Sequence, residues 1–178
     1  MYFCTRFKTN CMQRNITKST LNNFHVIGLL LSAKFLFSTQ NNSILLILSL
    51  ISSLLIIYAL FYTTTRFRDT ECDRSISYLN AFKYIFLLYF FGSIVLSIII
   101  WIYTQFINKE FLDLTLDLLL KTYENLKIHV DNQTYSILEK IFKPLPYSIF
   151  NLFASIFSSL FWSSILAIFI KKEKSIFE

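Results

Sequence analysis

The stretch Ser43–Tyr62 reads SILLILSLISSLLIIYALFY and holds no charged residue. A helix rises about 1.5 Å per residue, so this run alone spans about 30 Å, the thickness of the hydrocarbon core of a bilayer. Two further runs repeat the pattern. Phe82–Ile107 carries one charge, Lys83, at its start, and Tyr147–Ile170 carries none. These stretches predict an integral membrane protein.

On the N-terminal side, Phe24–Ser38 (FHVIGLLLSAKFLFS) is shorter and less apolar. Its length suits either a short span or the core of a signal peptide. A signal peptide needs small residues just after that core, and Ser32-Ala33-Lys34 fits poorly. The segment is therefore read as a first span extended toward Leu21, with Lys34 near its outer end and its ammonium snorkelling to the interface. Thr39–Asn42 is so short that the first two spans must be antiparallel neighbours. Residues 1–23 are polar and basic, with no acidic residue, and read as a cytoplasmic arm in which Met12 is an alternative start.

On the C-terminal side of the third span, Asn108–Pro146 is the one long connection. Phe111, Leu114, Leu118 and Leu119 recur at helical spacing, with Glu110, Asp113 and Asp117 elsewhere around the wheel. Ile128–Phe142 continues with scattered apolar residues. One or two amphipathic helices lying on the membrane surface are expected, with Lys143-Pro144-Leu145-Pro146 breaking the chain before the last span. The fold class is thus an all-α membrane protein: four transmembrane helices in an antiparallel bundle, with an amphipathic helical outer loop between spans three and four. The domain reading is 1–23 arm; 24–174 membrane domain, with spans at 24–38, 43–62, 82–107 and 147–170 and outer loop 108–146; and 175–178 tail.

Charge sets the orientation. Arg6, Lys8, Arg14, Lys18, Arg66, Arg68, Arg74, Lys83, Lys171, Lys172 and Lys174 fall on one side; Lys34, Lys109, Lys121, Lys127, Lys140 and Lys143 fall on the other. The first set is denser and belongs in the cytoplasm, which puts both termini there. The net charge of +6 consequently reads as membrane topology rather than nucleic-acid affinity.

The opening of the third span, Ile76-Ser77-Tyr78-Leu79-Asn80-Ala81-Phe82-Lys83, and its close, Trp101-Ile102-Tyr103 with Phe106-Ile107-Asn108-Lys109-Glu110-Phe111-Leu112-Asp113, resemble a small four-span bacterial family, domain of unknown function 4199. With the serine-rich last span and the Lys-Lys tail, the resemblance runs from about Phe24 to Lys172. It implies an inner-membrane protein of Gram-negative bacteria, and it brings no activity and no assigned site residues.

The chemistry-bearing residues assemble nothing catalytic. Cys4, Cys11 and Cys72 form no CxxC or Cys/His spacing, and Glu71 and Asp73 beside Cys72 disfavour its thiolate. His25 and His129 fall on opposite sides of the membrane. Glu110, Asp113 and Asp117 lack the spacing of a calcium loop. Two isolated glycines, Gly28 and Gly92, rule out a glycine-rich phosphate cradle. No catalytic, cofactor-binding or metal-binding residue is predicted, and no cofactor. The chain is expected not to be an enzyme.

Small residues one turn apart mark every span: Gly28/Ser32, Ser49/Ser53, Ser93/Ser97 and Ser155/Ser159/Ser163. They predict close helix packing within the chain, or a homo-oligomer face. Gln105 and Asn151 near the outer ends of spans three and four are expected to pair or to sit in the wet interface. Partners are therefore the lipid bilayer and a membrane protein or a second copy, with no nucleic acid. Two functions stay open: a non-enzymatic interaction or accessory subunit, and a small oligomeric pore or solute-permeation protein lined by the span serines.

Overall fold

The computed structural model describes residues 2–40, 42–128 and 130–172, with side chains from residue 16 onward. Six α-helices follow in order: α1 (Tyr2–Ser38), α2 (Ser43–Glu71), α3 (Tyr78–Ile102), α4 (Phe111–Asn125), α5 (Asn132–Ile141) and α6 (Pro144–Ile170). A π-helical turn, Tyr103–Ile107, closes α3. Four stretches are long and apolar enough to cross a bilayer: Ile16–Ser38, Ser43–Glu71, Tyr78–Ile107 and Pro144–Ile170.

Local chemistry sets the ends. The Asn42 side chain accepts the Ile44 N–H and caps α2. Asp131 does the same for α5 through the Thr134 N–H. Pro144 stands at the first position of α6, where its fixed φ and missing N–H favour a start. The expected break before the last span therefore ends at Lys143, and the prolines open the helix. At the far end of α3 the Asn108 N–H reaches back five residues to the Tyr103 carbonyl, at 2.8 Å, which makes the turn π.

α2 runs past Tyr62 to Glu71, carrying Arg66, Arg68 and Asp69 on continuous helix. Apolarity marks where lipid ends, and a helix does not have to stop there. α1 likewise runs through the arm to Ser38. The arm's basic side chains Arg6, Lys8 and Arg14, with Cys4 and Cys11, lie outside the described side chains, and His129, Lys174 and the tail lie outside the described residues.

α3 is the centre of the bundle. It packs extensively on α1 and on α6, while α2 packs mainly on α1 and touches α3 and α6 lightly. The two glycines of the chain meet where α1 crosses α3. A Cβ on Gly92 would stand 3.1 Å from the Gly28 backbone nitrogen, and one on Gly28 would stand 3.0 Å from the Val95 Cβ. Only residues without a side chain allow this approach.

The radial pattern is that of a protein dissolved in lipid. Ser32, Ser49, Ser52, Thr64, Ser93, Ser159 and Ser163 are buried. Leu50, Leu54, Phe157 and Phe169 face outward, each about two-thirds exposed or more. In water such a continuous apolar exterior would be costly; in hydrocarbon it is the solvated face. Several buried hydroxyls meet their needs locally, while Thr65 Oγ1 and Ser97 Oγ are buried without a partner. Ser32 donates to the Gly28 carbonyl at 2.7 Å, Ser52 to Leu48 at 2.8 Å, Thr64 to Leu60 at 2.7 Å, and Ser163 to Ser159. Tyr78, Phe82, Phe86 and Phe90 stack in a row along α3, each ring about one helical turn from the next.

The α2–α3 connector and the end of α6 are tied together. Ile76 and Lys172 exchange backbone hydrogen bonds of 2.8 and 3.0 Å. An Arg68 Nη1–H donates to the Ile170 carbonyl at 3.2 Å. A guanidinium there satisfies an open carbonyl and opposes the negative end of the helix dipole.

Candidate functional site

Among the described residues, chemistry-bearing side chains come together at a place inside the bundle and at another outside it. Inside, a cavity of about 80 Å³ is lined by Lys34 of α1, Ser53, Ile56, Ile57 and Leu60 of α2, Tyr89 of α3 and Trp162 of α6. All four spans contribute. The light packing of α2 on α3 and α6 leaves this gap. Lys34 precedes the end of α1 by about one turn, and a helical side chain leans toward the helix N-terminus. Its side chain lines the cavity from near the outer end of α1. Tyr89 is 9% exposed, and Trp162 is half-buried.

No carboxylate lines the cavity. The first acidic residue of the chain is Asp69, and the third and fourth candidate spans contain none. Asp69 pairs with Arg68 at 2.9 Å, at the opposite end of α2 from the α1–α2 turn.

Outside, α4 is anchored by three rings. Phe35 meets Tyr103 and Phe111 edge-on, with centroids 5.6 and 6.0 Å away, and Tyr103 meets Phe111 at 5.9 Å. Leu112 and Leu116 are buried. Leu114 and Leu118 are exposed, as are Asp113, Asp117 and Glu124 around the helix. Leu112 and Leu116 turn in against the rest of the protein, while Leu114 and Leu118 are not covered by it. An open groove of about 360 Å³ separates α4 from α5, lined by Leu120, Glu124, Ile128, Val130, Asn132 and Tyr135.

The other candidate residues are dispersed. Asn151 donates to the Tyr147 carbonyl within its own helix, and Gln105 is exposed on the π turn, so the two do not pair. His25 is exposed and edge-on to Phe24. Cys72 is buried, and its thiol is pushed up to about 11 by desolvation first, then by the charges of Glu71 and Asp73. Among the described residues no group of three His, Cys, Asp or Glu stands together as a metal site. The sequence marked Lys34 as a charge near the outer end of the first span. It carried no signal that Tyr89 and Trp162 would share a cavity with it.

The fold defines a multi-pass, all-α membrane protein. The family model described as protein of unknown function DUF4199 matches residues 25–172, and the chain belongs to that family. No curated protein and no solved structure matches it.

Proposed function

We propose that this chain is a non-enzymatic interaction or accessory subunit of the bacterial inner membrane. Both termini lie in the cytoplasm, and the α4–α5 layer is the contact surface for a membrane-protein partner on the outer side. The observation that supports this is the pairing of a fixed anchor with an uncovered face. Phe35, Tyr103 and Phe111 hold the start of α4, and Leu114 and Leu118 remain exposed on a face of α4 away from the groove. A surface already ordered loses less conformational entropy on binding. The excess of Lys and Arg on the arm, the α2–α3 connector and the residues after α6 supports the orientation.

The test places a photoactivatable side chain at Leu114 and at Leu118 in cells. A discrete protein adduct is expected at both. Adducts with lipid alone would remove the reading. Purified protein in liposomes is expected to pass ions and small solutes no faster than empty vesicles; a leak would favour a pore lined by the span serines.

A further inference from the structure

We infer that α5 is an in-plane membrane anchor, with its apolar face seated on a phospholipid monolayer at the boundary between headgroups and acyl chains. The outer layer is then divided in two. Protein holds α4 and lipid holds α5, so the partner surface proposed above is left to α4.

Tyr135, Ile137, Leu138 and Ile141 fall in one half of the α5 wheel, with Thr134 among them, and Phe142 extends that half past the helix end. Asn132, Gln133, Ser136, Glu139 and Lys140 fill the other half. None of the ten residues is buried in the protein; Ile137 is 50% exposed and Tyr135 45%. α5 packs lightly on α6 and borders α4 across the open groove that Tyr135 lines. A helix this short is marginal in water by itself and depends on whatever covers its apolar face. This protein leaves that face uncovered, so the cover is external.

The joint with α6 identifies it. Lys143 alone separates Phe142 from Pro144, the first residue of α6. α6 is a candidate span, and Leu145, Ile149 and Phe150 in its first turns are each about half exposed. Three residues of chain reach at most about 11 Å, so the last turn of α5 stays at the membrane surface. Phe142 also packs on Tyr147 of α6, with ring centroids 5.6 Å apart. The uncovered face of α5 thus abuts the lipid-facing side of α6, at the depth where aromatic rings settle. Lys140 and Lys143 have stems long enough to lie along apolar surface while their ammonium groups reach water or phosphate. The exposed leucines of α4 differ: Leu114 and Leu118 adjoin Asp113 and Asp117, whose charges are costly to carry into the acyl boundary.

Depth-resolved quenching tests the anchor in the full chain, reconstituted in phospholipid vesicles with Trp101→Phe and Trp162→Phe. In that background Ile137→Trp and, separately, Ile141→Trp put one reporter on the apolar face, and Gln133→Trp puts one on the polar face. Phospholipids brominated near the glycerol end of the acyl chain are expected to quench the first two at least about twofold more than the third, as for a helix immersed about 5–10 Å into the boundary. Lipids brominated near the chain terminus are expected to quench all three weakly. Equal quenching on the two faces would overturn the inference. So would apolar-face reporters shielded from both brominated lipid and aqueous acrylamide, which would mean that a second copy covers the face. A discrete protein adduct at Leu114 with weak quenching on α5 would remove the anchor and leave the proposed function standing. Lipid adducts at Leu114 with strong quenching on α5 would do the reverse.

Discussion

Gly92 is the residue on which the bundle closes. Its missing Cβ is what lets the α1 backbone pass, so Gly92→Val is expected to push α1 off α3 and lower stability by about 1–3 kcal/mol. Valine is the better helix residue of the two, so a melting temperature in detergent at or above that of the parent would show that the crossing is looser than described. Cys72 makes a second prediction. Its thiol is pushed up to about 11, so the reactive thiolate is scarce at neutral pH and grows as pH rises toward that value. Maleimide labelling of Cys72, in a chain with Cys4 and Cys11 replaced by alanine, is expected to be slow at pH 7.5 and to climb about tenfold for each pH unit below the midpoint. A flat pH profile would contradict that environment. The neighbours Glu71 and Asp73 were legible in the sequence as the cause. The larger cause, burial of Cys72 in the core cluster, was not, because that cluster joins residues of helices far apart in the chain.

Helices tied at their ends give the next tests. Arg68 holds the last turn of α6 through the Ile170 carbonyl, so Arg68→Ala is expected to cost about 1–3 kcal/mol. Faster amide exchange should be confined to the end of α6 and the connector; unchanged protection there would remove the clamp. Phe111 sits between Phe35 and Tyr103, and Phe111→Ala is expected to free α4 while leaving α6 as protected as before. Uniform loss of protection across all helices would mean that α4 is part of the core rather than a layer on it. The apolar runs announced the four spans because hydropathy reports the solvent directly. They did not announce that α2 continues to Glu71, since a charged turn outside lipid can stay helical. The periodicity of Phe111, Leu114 and Leu118 marked an amphipathic helix, but which leucines would dock on the protein, Leu112 and Leu116, depends on neighbours far away in the chain.

Serines inside and phenylalanines and leucines outside make the molecule coherent only in a bilayer, with successive spans alternating in direction. The α2–α3 connector and the start of the tail are bridged through Ile76 and Lys172, so they share one face, while α4 and α5 lie across the membrane from them. The direct measurement is labelling of single cysteines by a membrane-impermeant maleimide in intact cells, in a chain without its native thiols. Arg74→Cys and Lys171→Cys are expected to react only after the membrane is permeabilised. Leu126→Cys, exposed just past α4, is expected to react without it. Labelling of all three from the same side of the intact membrane would contradict the four-span account.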